Sequence, residues 1–99
     1  MSELTGKQRR HLRALGQRRA ATLHVGHEGV TDAVVRQADA QLDAHELIKV
    51  RVGENAPESR HAVARDLAAR TRSHLAQVLG RTALLYRARP DEPTIVLPT

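Results

Sequence analysis

Leu47-Ile48-Lys49-Val50-Arg51-Val52 alternates aliphatic and cationic residues, and the segments on either side carry apolar residues at helical spacing. The alternation puts Ile48, Val50 and Val52 on one face of a strand and Lys49 and Arg51 on the other. A half-buried strand needs partners for its backbone and a cover for its apolar face. The chain therefore has to supply further strands and helices to pack on them.

Read in order, it supplies both. Thr5 reads as the N-cap of a first helix in which Leu4, Leu12 and Leu15 share a face, with Gln8 and His11 between them. Lys7, Arg10 and Arg13 form a separate outward stripe with Arg9 beyond it, and Gly16 reads as the residue just past the helix end. Gln17-Arg18-Arg19 is a basic connector to a short strand over 21–25. Thr31 caps a second helix over 32–44, whose buried stripe is Val34, Val35, Ala38, Leu42 and His45. His45 is thus expected as a hydrogen-bonded core or capping residue. After the strand over 47–52, a third helix is predicted over 58–70. A hairpin of 75–79 and 82–87 then turns on Gly80-Arg81, suited to a type II′ turn. The order α-β-α-β-α-β-β predicts an α/β (α+β) domain over 1–90: a four-stranded mixed sheet packed with three helices, with helix-linked strands paired in parallel. Pro90, Pro93 and Pro98 mark an irregular tail over 91–99, expected on or near the domain.

Composition narrows the function. Tyr86 is the only aromatic residue, so the core is aliphatic and the chain has no set of aromatics for a base-stacking platform. Without cysteine there is neither a disulfide framework nor a thiolate metal site. No long apolar run or signal segment is present, so the expected compartment is the cytoplasm, with no membrane partner. The net charge is +5, and residues 1–19 hold six cations against Glu3 while the remaining residues balance. Such a localised excess is the electrostatic footprint of a polyanion partner.

The turn Val25-Gly26-His27-Glu28-Gly29-Val30-Thr31-Asp32 joins the first strand to the second helix. Glycines allow close approach of another backbone, and a helix N-terminus carries unpaired N–H groups. Gly26, His27, Glu28 and Gly29 are therefore candidate contacts to nucleic-acid backbone. Glu28 and Asp32 work against phosphate there, whereas His27 can donate a hydrogen bond. Gly29→Asp is expected to leave the fold intact. Lys7, Arg10, Arg13, Arg18 and Arg19 are the main candidate phosphate contacts, with Lys49, Arg51, Arg81, Arg87 and Arg89 secondary. The six histidines form no metal-ligand spacing, and Ser2, Ser59 and Ser73 suggest no nucleophilic triad. No Walker or dinucleotide motif is present, so no cofactor, metal or small-molecule substrate is expected.

Four blocks carry a family resemblance: Leu4-Thr5-Gly6-Lys7-Gln8-Arg9-Arg10-His11-Leu12-Arg13, the turn from Val25 to Thr31, His45-Glu46-Leu47-Ile48-Lys49-Val50-Arg51, and the segment from Gln77 to Arg87. In this order and spacing they resemble the CRM domain (chloroplast RNA splicing and ribosome maturation), in its stand-alone bacterial YhbY-type form. The resemblance implies a fold like the C-terminal domain of translation initiation factor three. It also implies a non-enzymatic, RNA-binding role on precursors of the large ribosomal subunit. On this chain the implied contacts are Gly26, His27, Glu28 and Gly29 with Lys7, Arg10 and Arg13. A monomer is expected. The alternative is a module that binds ribosome-assembly proteins and touches RNA incidentally.

Overall fold

The computed structural model describes residues 3–99; Ser2 lies outside them. Thr5 starts α1 (Gly6–Gly16) with a capping box. Its hydroxyl accepts from the Gln8 amide at 3.1 Å, and the Gln8 side chain accepts from the Thr5 amide at 3.0 Å. There follow β1 (Leu23–Val25), α2 (Asp32–His45), β2 (Leu47–Val52), α3 (Arg60–Thr71), β3 (His74–Leu79) and β4 (Thr82–Tyr86). The element order is the one the sequence predicts. Thr31 and Ser59 cap α2 and α3 through their hydroxyls. The Ser59 cap delays α3 to Arg60, two residues later than the pattern suggests. At the hairpin, Gly80 has φ +56° while Arg81 has an ordinary φ, which fits the type II′ turn.

The strand order is β1-β2-β4-β3. β1 and β2 pair in parallel as expected, with Leu23 opposite Val50 and Val25 opposite Val52. The second helix-linked pair departs from expectation. β4 inserts between β2 and β3 and runs antiparallel to both. Its continuous buried run, Ala83 to Tyr86, explains why: a strand apolar on both sides belongs in the sheet's interior. β3 is less buried and takes the edge, with a bulge between Leu75 and Gln77.

The sheet is covered on both faces. α2 and α3 close one face over Leu23, Val25, Ile48, Val50, Val52 and Leu85, contributing Ala38, Leu42, Val63, Leu67 and Ala68. Fully burying each leucine of this set stabilises by roughly 1.5–3 kcal/mol. α1 covers the other face with a smaller cluster of Leu12, Leu47, Ala76, Leu84 and Tyr86. Gly16 is the last residue of α1, not the residue beyond it, and Gln17 takes the cap. The glycine's use is close packing, because a Cβ there would meet the Leu84 methyls at 2.8 Å. Ile95 and Leu97 of the C-terminal segment complete this second cluster.

Glu46 holds that segment in place. It is the single residue between α2 and β2, and it turns the chain with φ 65°, ψ −37°. Its side chain is fully buried. One carboxylate oxygen accepts from the Thr94 amide (2.7 Å), the Thr94 hydroxyl (2.7 Å) and the Ile95 amide (2.9 Å); the other accepts from the Arg89 amide (2.9 Å). Burial by itself would raise the pKa. The Thr94 hydroxyl and the three backbone N–H groups outweigh it and hold the value at about 2. His45, by contrast, is exposed at the end of α2 and not on its buried stripe. The helix ends there, and Leu47 two residues later takes the buried place on the α1 side.

Candidate nucleic-acid interface

The α1 helix presents its cations as the periodicity predicts. Lys7, Arg10 and Arg13 are exposed, as is Arg18 beyond the helix end. None of these four side chains makes an ion pair or hydrogen bond with another described residue. Arg9 and Arg19 differ, because each is half-buried and directed at backbone. Arg9 Nη1 donates to the Leu75 carbonyl at 2.7 Å, and Arg19 Nη1 to the Leu47 carbonyl at 2.7 Å. Burial, and then the Arg9 guanidinium, lower the pKa of His74, whose ring stacks on Tyr86 at 6.2 Å.

The secondary cations divide in the same manner. Arg81 donates to the Val52 and Gly53 carbonyls at 2.9 and 2.7 Å, tying the hairpin to the end of β2. Arg87 ties β4 to the helices on the far face, at 2.7 Å to Asp39, 2.8 Å to Asp43 and 2.6 Å to the Thr71 carbonyl. Arg89 donates to the Glu92 carbonyl at 3.1 Å. These three arginines hold the fold together. Lys49 and Arg51 remain free, and strand alternation turns them to the α1 side of the sheet, opposite Val50 and Val52. Arg51 lies across from His24 on β1 and from Thr82 on β4. α1 packs on β2, β3 and β4, so the sheet corner at His24, Lys49 and Arg51 adjoins the helix with its side chains in solvent or half exposed. Arg19, Thr22, His45, Leu47 and Lys49 border an open cleft of ≈ 280 Å³ beside it.

The glycine turn leaves the carboxyl end of β1. The Gly29 amide donates to the Gly26 carbonyl at 3.0 Å, and Thr31 at once caps α2. The two glycines have different reasons to be glycine. Gly29 is buried with φ +74°, and a Cβ would lie 3.1 Å from Pro57 Cγ. Gly26 has ordinary φ, and a Cβ there would meet nothing closer than the His24 ring at 3.8 Å. Gly29→Asp is therefore strained in the fold, contrary to the expectation from sequence. His27 and Glu28 project outward at the tip, with His27 Nε2 and Glu28 Oε1 4.0 Å apart. The turn edges a second open cleft of ≈ 250 Å³ with Thr31 and Val34. The turn leads into α2, on the face away from α1, and the His24, Lys49 and Arg51 corner belongs to the α1 side.

This arrangement defines a small α/β domain with one cationic helix laid on a mixed sheet and a glycine turn at the sheet's end. The chain belongs to the CRS1 / YhbY (CRM) domain family, whose model matches residues 4–87. It is 40% identical over 95 residues to "Probable RNA-binding protein YqeI" of Bacillus subtilis, covering 96% of this chain and 99% of that one. To "Probable RNA-binding protein PA4753" of Pseudomonas aeruginosa it is 34% identical, covering 88% and 84%. The solution structure of SAV1595 from Staphylococcus aureus matches with a TM-score of 0.82 at 37% identity, covering 96% of this chain and 99% of that chain.

Proposed function

We propose that this protein binds structured RNA through the α1 side of its sheet, and that its RNA is that of the precursor large ribosomal subunit, whose assembly it assists. The observation that carries the reading is the division among the cations. Arg81, Arg87 and Arg89 are tied to carboxylates or carbonyls, whereas Lys7, Arg10, Arg13, Arg18, Lys49 and Arg51 stand free around one face. Exposed, unpaired cations on a common side bind phosphate and release counterions. Arg19 contributes by shaping the adjoining cleft. Gly26, His27, Glu28 and Gly29 act at the sheet's end by close fit, since Glu28 and Asp32 make the turn a weak phosphate trap. The protein acts as a monomer in the cytoplasm, as a binding protein and not a catalyst. RNA-binding names among the relatives support the RNA reading.

The test is a salt titration of binding to structured ribosomal RNA by wild type and Arg10→Ala/Arg13→Ala. The variant's slope of log affinity against log salt should flatten by roughly 0.7–0.9 for each phosphate no longer neutralised. An unchanged slope removes α1 from the interface. Sedimentation of a lysate before and after nuclease treatment tests the ribosomal assignment; co-migration that survives complete RNA digestion favours assembly proteins as the partner.

A further inference from the structure

The free cations of the α1 side account for one face of the sheet only. α3 lies in the opposite layer, anchored by Val63, Leu67 and Ala68. Arg60 at its first residue, Arg65 on its outward side and Arg72 just past its end are all exposed and without an ion pair or side-chain hydrogen bond among the described residues. Arg70 behaves differently: it is held by Asp66 at 3.0 Å and by the Val30 carbonyl at 3.3 Å. Asp66 is thereby occupied, which leaves Glu58 as the segment's other acid. Arg65 lies one helical turn after His61 on one stripe of α3, and Arg72 caps the helix just beyond Thr71 with a left-handed backbone, φ 55°.

α1 and α3 share a second trait. Neither has an acid in its first turn, and each has a cation there, Lys7 in α1 and Arg60 in α3. A cation at a helix N-terminus opposes the helix dipole and weakens its own helix. α2 instead places Asp32 in its first turn.

We infer that one molecule grips two RNA segments at once, one on the α1 side and one along α3, and so brings two duplex elements together. The inference rests on the α1 side binding RNA as proposed above. The molecule measures 38 × 25 × 23 Å, so RNA backbones on opposite faces lie within energy-transfer distance. The experiment uses the full chain and two RNA hairpins, one carrying a donor dye and one an acceptor. Energy transfer should rise with protein and fall again at excess, when each hairpin occupies its own molecule. Arg65→Gln/Arg72→Gln alters exposed positions and should keep its circular dichroism and its affinity for a single hairpin. The same variant should need about tenfold more protein for half-maximal transfer, and Arg65→Lys/Arg72→Lys should restore it. Single-hairpin binding without transfer in wild type overturns the bridge and leaves the α1 reading standing. Undiminished transfer in the glutamine variant overturns α3 as the second site, and absence of hairpin binding in wild type overturns both readings.

Discussion

The two faces of the sheet are closed by different means. On the α2 and α3 side a continuous aliphatic cluster seals the strands with side chains from two helices. On the other side α1 alone is too narrow. A smaller cluster is completed by Ile95 and Leu97, in a segment with no regular hydrogen-bond ladder. That segment is held by the four hydrogen bonds of one buried carboxylate and, near its end, by the Gln8 side chain donating to the Pro98 carbonyl at 3.2 Å. The difference shows that burial can be secured either by area or by directed hydrogen bonds, and that the second device is sensitive to single atoms. It also leaves a corner of the α1 side open, where His24, Lys49 and Arg51 lie.

Breaking the carboxylate should have the largest effect. Glu46→Ala removes the acceptor of four hydrogen bonds and keeps a side chain at φ 65°. A loss of about 3–4 kcal/mol in urea denaturation is expected. Amide exchange should quicken first over Arg89–Ile95 while α3 stays protected. Glu46→Gly also loses the bonds but relieves the backbone, so it should be about 1 kcal/mol more stable than the alanine variant. Equal stabilities would show that the backbone at Glu46 is unstrained.

Acid should act on the same device. The folded pKa is about 2, below the ordinary 4.5, so the stabilisation is complete above 4.5 and is lost as pH falls from there through 2. The shift corresponds to about 3 kcal/mol. Denaturation midpoints for wild type should fall more steeply over this window than those for Glu46→Gly. Parallel curves would mean that the carboxylate is not held ionised by its four donors.

The smallest expected effects separate the two glycines and sharpen the contrast between fold and interface. Gly29→Ala should cost about 1–2 kcal/mol, from positive φ and the approach of Pro57. Gly26→Ala should leave the denaturation midpoint within about 0.5 kcal/mol of wild type. It is therefore the cleaner probe of close backbone approach: reduced RNA affinity in a fully stable Gly26→Ala assigns the turn to the interface. Unchanged affinity would restrict the turn to folding.

Much of the fold was legible because its signals are local. Thr5, Thr31 and Ser59 mark helix starts through bonds only three residues long. The period of two in β2 and the Gly80-Arg81 turn needed no distant partner to be read. Lys7, Arg10 and Arg13 were legible as an outward stripe for the same reason. Other assignments failed where the deciding contact was remote. Arg81 and Arg87 looked like exposed charges, yet their partners lie 28 or 29 residues away in one case and 16 to 48 in the other. Glu46 bore no mark of its role, since an acid after a helix is commonplace; its lone signal was a helix-to-strand join with no glycine to turn it.

By itself the sequence determined the element order, the caps, the hairpin and the concentration of positive charge at the start of the chain. These follow from periodicity and from neighbours within a turn. Tertiary structure alone decided that β4 enters between β2 and β3, that Glu46 fastens the C-terminal segment, and which cations remain free. Each of those depends on groups far apart in sequence competing for the same burial or the same hydrogen bond, and such a competition is settled only when the whole chain is packed.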